Sequence, residues 1–366
     1  MARIALLGAS GFAGTLIAAE LVASGTPFVA VGRAPDRLET AMRSVGAADA
    51  PLRVADTDDA GSLRSALAGV DLAISAIGPF DRSGRAVVDA AIAAGVHLVD
   101  IAAEQPYLRW VVEDRDLSAR RAGVTLASGA GFLGLPGDLL AAIAAGAVAA
   151  PHEVHVGYIL PDRGMLHATS IGVRRTMASL LGQPGVAFDR GRQVDDLPGE
   201  ARRLAWFPRP IGPAHAAGIP GIEPITVPRH VPGVRTVRTY LALPSWRAEL
   251  LQFRANAARY EPARRRLARS LERRAGDPSA QRRAATRWAC VAEAQGDDGV
   301  ARAWAYGHDP LRLAAAGAVE VATAVLAGHA DVGALPPALV QVPSELLDEL
   351  SVRTDLRWSV VRPAPG

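Results

Sequence analysis

Short apolar runs alternate with alanine-rich helical stretches from residue 3 to about residue 128, at the spacing of repeated βα units. The pattern predicts strands near 3–7, 28–32, 51–55, 71–76, 97–101 and 123–127. Helices are predicted between them, near 12–24, 35–45, 60–68, 84–94 and 107–121. Such an alternation builds a parallel sheet covered by helices on both faces.

Beyond the GAGFLGLPGD loop a helix is expected from about Pro136 to Ala149, stopping before Pro151. Arginine and proline then become more frequent, and strand-like runs appear at 153–159 and 234–243. From Pro310 a strongly apolar helix begins, expected to pack back on the first domain. The fold class expected is α/β: a Rossmann doubly wound parallel sheet with a second mixed α/β substrate domain. The expected division is 1–150, 151–306 and a C-terminal helical segment 307–366.

A chain of 366 residues supports more than one core, in keeping with that division. The single cysteine, Cys290, cannot form an internal disulfide, which suits a reducing compartment. The opening MARIALLGASGFAGTLIAA resembles a signal peptide but lacks a convincing cleavage region, and its glycines have another explanation. The apolar stretch Leu139–Ala150 is too short to span a bilayer, and Glu320 interrupts the run from Leu311 to Leu326. A cytoplasmic protein is therefore expected.

All forty basic residues are arginine. GC-rich codon usage explains the bias, and the absence of lysine still has chemical consequences. Schiff-base catalysis, pyridoxal phosphate attachment, the Tyr-x-x-x-Lys dyad and a Walker-type phosphate loop are all excluded.

The strand ARIALL runs directly into Gly8, Ser10, Gly11, Phe12 and Gly14, followed by the helix TLIAAELVAS. Glycines so placed allow a tight turn and close approach of backbone N–H groups to a pyrophosphate at a helix N-terminus. At the end of the second strand, FVAVGR, the chain has Arg33 where an NAD enzyme usually places a carboxylate. A guanidinium there suits a 2′-phosphate, so the expected cofactor is NADP(H). Asp56, after the third strand, is a candidate for the adenine amino group, with a helix N-terminal role equally open. Ala76, Ile77 and Gly78 end the fourth strand, where the nicotinamide side is expected, and Gly131 lies in a glycine-rich loop after the sixth.

These motifs resemble the saccharopine dehydrogenase-like reductases, including their trans-acting enoyl reductase branch. The resemblance rests on GASGFAG, VGR, IGPF with the helix after it, HLVDIAAE and GAGFLGLPGD, and more weakly on PRHVPGVRTV and HDPLRLAAAGAVEVATAVLAG. It departs from the family at Phe80, commonly tyrosine, and Leu133, commonly an acid. The resemblance implies hydride transfer from NADPH to an electron-poor carbon of a C=N or C=C bond, in a small-molecule or carrier-bound substrate. The alternative is a non-catalytic NADP-binding regulatory or carrier-docking protein.

One group to deliver a proton would complete such a reaction. Asp100, Glu104 and Tyr107 follow the fifth strand and are candidates, with capping or packing roles as their structural alternatives. His230, in a family-like segment, is a candidate for lining the pocket. His152 and His155 would point to opposite faces of a strand, so no metal site is expected. Between Arg254 and Arg287 stand eleven arginines and three acids. That region reads as a solvated helix face, with an acidic carrier protein or an anionic membrane surface as its candidate partner. Nucleic acid is not expected, for want of an interleaved aromatic platform, and a homodimer is a candidate assembly.

Overall fold

Each of the six predicted strands forms, and a computed structural model describes their setting for residues 3–161, 169–273 and 276–363. In chain order they are β1 (Ile4–Leu7), β2 (Phe28–Gly32), β3 (Leu52–Val54), β4 (Leu72–Ser75), β5 (His97–Asp100) and β6 (Thr125–Ser128). β1 and β4 are buried at every position, which is why they read as unbroken apolar runs rather than alternating ones. The helices between are α1 (Phe12–Ala23), α2 (Pro35–Ser44), α3 (Ala60–Leu67), α4 (Phe80–Ala94), α5 (Gln105–Trp110) and α6 (Asp116–Ala122), the last two joined by a π-helical turn at Val111–Arg115. Asp59 caps α3, accepting from the Gly61 and Ser62 amides and satisfying two donors that the first turn leaves open.

Two compact units divide the chain, and the division differs from the expected one. The first comprises residues 1–102, 106–132 and 311–342; the second comprises 103–105, 133–310 and 343–366. The expected boundary at residue 150 therefore moves to residue 132. Its cause is the helix α7 (Leu135–Ala145), which packs on strands of the second unit's sheet. The segment 307–366 is also not one body. The helix Pro310–Leu326 lies almost wholly in the first unit, where Arg312 pairs with Glu20 of α1 at 2.9 Å, whereas residues 343–363 belong to the second.

In the first unit the strand order is β15-β6-β5-β4-β1-β2-β3, where β15 (Gly333–Leu335) adds a seventh parallel strand beside β6. Leaving β15 aside, this is the doubly wound dinucleotide-binding order, reversing between β1 and β4. The register is direct: Leu7 stands opposite Ser75 and Val31. Loops leaving the carboxyl ends of β1 and β4 thus frame the crevice where ligands of such sheets bind.

The second unit holds a nine-stranded mixed sheet. Its main path is β10 (Arg202–Trp206), β11 (Pro213–Gly218), β12 (Thr236–Ala242), β7 (Glu153–Ile159), β13 (Arg287–Gly296), β14 (Gly299–His308) and β16 (Arg357–Val361). The hairpin β8 (Gly185–Asp189) and β9 (Arg192–Asp196) joins at β12. Only β12 and β7 pair in parallel along this path. On one face Phe207, Tyr240 and Val291 form an apolar core. No described helix is long and apolar enough to cross a membrane.

Candidate cofactor site and buried polar clusters

The turn after β1 is built by two glycines with different tasks. Gly8 has φ +79°, in the left-handed region, and a Cβ there would stand 2.9 Å from Ile77 Cγ1. Both the backbone conformation and the approach to β4's exit therefore favour glycine. Gly14 lies in α1, and a Cβ on it would overlap the Gly8 carbonyl oxygen, so the helix seats directly on the turn. Gly11 differs: at φ −80° it is ordinary extended backbone, exposed, and a Cβ on it would meet only the Gly8 carbonyl, at 3.2 Å. Its glycine leaves the space before the helix N-terminus clear. No side chain caps α1, and no acid stands in its first turn. Ser10 and Phe12, half-buried, flank this opening.

A positive helix end, a crowded glycine turn and an uncrowded Gly11 make a cradle suited to a pyrophosphate. Arg33 follows β2 immediately and is exposed; Arg37 and Asp36, also exposed, lie in the first turns of α2. Asp56 is half-buried, and its carboxylate accepts from the Asp58 amide at 3.1 Å. The helix-capping role that its TDD context suggested belongs instead to Asp59. Ala76 and Ile77 are half-buried and Gly78 is exposed at the exit of β4. Gly131 is buried, and a Cβ on it would stand 2.6 Å from the Ile101 carbonyl oxygen. Its glycine is thus demanded by the β5 exit loop, without reference to a nicotinamide.

The candidates for carrying chemistry are all engaged in hydrogen bonds of the fold. Asp100 is fully buried; its Oδ2 accepts from Tyr107 Oη at 2.8 Å and Ser128 Oγ at 2.6 Å. Its Oδ1 accepts from the amides of Ala102 at 3.0 Å and Gly129 at 3.2 Å. Burial pushes the Asp100 pKa up, against the four donors that favour its ionised form. Tyr107, fully buried, packs its ring against Phe80 at a centroid distance of 5.6 Å. The pair ties the exits of β5 and β6 to the helix that follows, the packing role that stood beside catalysis for both residues. Glu104 is buried and accepts from Thr176 Oγ1 at 2.9 Å.

His230 is engaged in the same way. Its side chain is 3% exposed, and its Nε2 lies 2.8 Å from the Oδ1 of fully buried Asp138 on α7. Nearby in the second unit is a cluster the sequence analysis missed. Glu223 accepts from Tyr158 Oη and Thr239 Oγ1, both at 2.6 Å, and is wholly buried. Burial raises the Glu223 pKa, opposed by those two donors and reinforced by the charge of Asp138. Burial and neighbouring Glu223 also lift the Tyr158 phenol well above its usual range. Cys290 is buried, which raises its thiol pKa far above that of a reactive thiolate. Two lone carboxylates in apolar surroundings, Asp138 in LPGDLLAAIAA and Glu223 in GIPGIEPIT, were the available signal.

Residues 4–126 match the family described as the saccharopine dehydrogenase NADP binding domain. The matched stretch runs from β1 into β6, over the parallel sheet of the first unit. A Caenorhabditis elegans protein named lipid droplet localized protein is 31% identical over 146 residues, 37% of this chain and 34% of its own length. The trans-acting enoyl reductase of Mycobacterium tuberculosis is 31% identical over 140 residues, with the same shares. The matched stretch thus spans 34% of these relatives' own length. Apo saccharopine dehydrogenase (L-Glu forming) from Saccharomyces cerevisiae is similar over 99% of this chain and 100% of its own, with a TM-score of 0.64 at 15% identity. The two share a fold, and the second unit's mixed sheet is part of it.

Proposed function

We propose that the chain is an NADPH-dependent oxidoreductase that reduces a C=N or C=C bond of a small-molecule or carrier-bound acyl substrate by direct hydride transfer. The observation that carries this reading is the cradle at the β1 turn, with Arg33 at the exit of the neighbouring strand, in a domain of NADP-binding type. The enoyl reductases among the relatives supply the precedent for a C=C bond. For C=N the support is chemical: an iminium already carries the charge that attracts hydride and needs little help from a protein acid.

When bound, NADPH supplies a hydride to an electron-poor carbon. The chain's own part is to hold and orient. The α1 N-terminus and the open space at Gly11 receive the pyrophosphate, and Arg33 makes a charge-assisted contact to the 2′-phosphate. Asp56 serves the adenine side, and Ala76, Ile77 and Gly78 border the nicotinamide side. Asp100 and Tyr107 act as positioning residues, locking the β5 and β6 exits, and His230 locks α7 through Asp138.

A non-catalytic NADP-binding role is the second reading, favoured by the burial of Asp100, Glu104 and Tyr107, the candidates for delivering a proton. Incubation with NADPH deuterated at C4, across a panel of imines and enoyl thioesters, separates the two. Deuterium on a product carbon supports the reductase. Cofactor binding with no reduction of any member of the panel favours the second reading, and a reduced product without deuterium contradicts direct hydride transfer.

A further inference from the structure

Two consecutive helices of the second unit, Ser245–Ala257 and Glu261–Glu272, present an outer surface that the cofactor reading does not use. Trp246 and Phe253 are 60% and 70% exposed, and Tyr260, at the turn between the helices, is 74% exposed. Trp246 and Phe253 are seven residues apart, so they share one helix face. Ala248, the buried residue of this helix, lies on the opposite side. Arg247 and Arg254, offset by one position, run alongside the two rings, and the Arg247 guanidinium sits 5.0 Å from the Trp246 ring centroid.

The second helix follows after a short turn. It packs on the helix Ile171–Ser179, with Leu267 and Leu271 half-buried, and turns its arginines outward. Arg266, Arg269 and Arg273 line one shallow concavity together with Pro262 and Ser270. From residue 245 to residue 273 there are eight arginines and three glutamates.

A solvated helix face accounts for the arginines and leaves the rings unexplained. Water has no use for three large aromatic side chains exposed together, and such patches mark contact surfaces. Aromatic rings flanked by basic residues on an amphipathic helix suit a bilayer interface, where rings enter the headgroup level and guanidiniums meet lipid phosphates. A single nucleic acid strand fits less well, since its bases stack along a groove, whereas these rings stand about 10 Å apart on a convex helix.

We propose that this surface docks the protein on an anionic membrane, with Trp246, Phe253 and Tyr260 inserted at the interface and Arg266, Arg269 and Arg273 holding lipid phosphates. The docking is independent of the cofactor reading.

The test is co-sedimentation of the full chain with vesicles of phosphatidylcholine and phosphatidylglycerol in equal parts, against phosphatidylcholine alone. Binding to the anionic vesicles, weakened by added salt, is expected. Trp246→Ala/Phe253→Ala should weaken it by roughly tenfold or more, and so should replacing Arg266, Arg269 and Arg273 by Ala. Both variants should keep the parent's circular dichroism and NADPH titration. The proposal is overturned if neither vesicle binds the parent, or if the aromatic variant binds anionic vesicles as well as the parent does. It is equally overturned if these residues serve only self-association, an acidic carrier protein or a single-stranded oligonucleotide, with no vesicle binding.

Discussion

Tyr107 donates its hydroxyl to Asp100 Oδ2 across 2.8 Å, and both side chains are sealed from solvent. Three further donors reach the same carboxyl group. Removing the phenol's hydroxyl takes away one donor of four, and the pair's task on this account is to hold two strand exits. Tyr107→Phe should therefore lower unfolding stability by about 1–3 kcal/mol while leaving the NADPH isotherm unchanged. Urea unfolding and a fluorescence titration measure the two quantities. Loss of hydride transfer at unaltered stability would return Tyr107 to a proton-donating role.

The glycines of the β1 turn separate folding from binding. In Gly14→Ala the new methyl overlaps the Gly8 carbonyl, and relief requires α1 to shift. That variant should be destabilised by about 1–3 kcal/mol. Gly11→Val meets a smaller obstacle, since its backbone is ordinary and a Cβ there touches only the Gly8 carbonyl oxygen, at 3.2 Å, which a shift of a few tenths of an ångström relieves. It should fold with near-parental stability and bind NADPH at least about tenfold more weakly, because its side chain occupies the pyrophosphate's approach. A Gly11→Val protein that titrates normally with NADPH would displace the cradle from this turn.

His155 gives the second unit a pH dependence. Burial, with the charges of Arg203 and Arg238 adding to it, lowers its pKa to about 3, below the ordinary 6.5. The folded chain then binds fewer protons than the unfolded chain between those two values. This contribution is intact above pH 6.5 and is lost progressively as pH falls toward 3, by an amount on the order of 2–4 kcal/mol. Denaturant unfolding at pH 7 and pH 4.5 should show a drop in stability that His155→Gln reduces. An identical drop in both proteins would assign the effect to other groups.

The six strands of the nucleotide sheet were legible because each is a short apolar run closed by a loop rich in glycine or acidic residues. β15 was not, since Gly333–Leu335 is three residues long and gains its identity only from pairing with β6, some two hundred residues earlier in the chain. β9, RQVDD, is polar and half-exposed, so no periodicity marks it as a strand. Local pattern places Gly8 and Gly14 at the turn after β1 and Arg33 at the exit of β2, where the structure has them. It does not reach the Glu223 cluster, since Tyr158 lies 65 residues from Glu223 in sequence and the two meet only through the packing of β7, β12 and α7. Asp100, Tyr107 and His230 were placed near the correct strand ends and loop, but sequence spacing could not show that each side chain turns inward.

Arg33 leaves β2 directly, is solvent-exposed, and stands where a carboxylate would select the unphosphorylated ribose. The decisive measurement is the pair of binding isotherms for NADPH and NADH, taken on the parent and on Arg33→Ala. The account predicts a parental preference for NADPH and a loss of roughly one to two orders of magnitude in NADPH affinity on substitution, with NADH nearly unchanged. Equal parental affinities for the two cofactors, or an NADPH isotherm indifferent to the loss of Arg33, would contradict it.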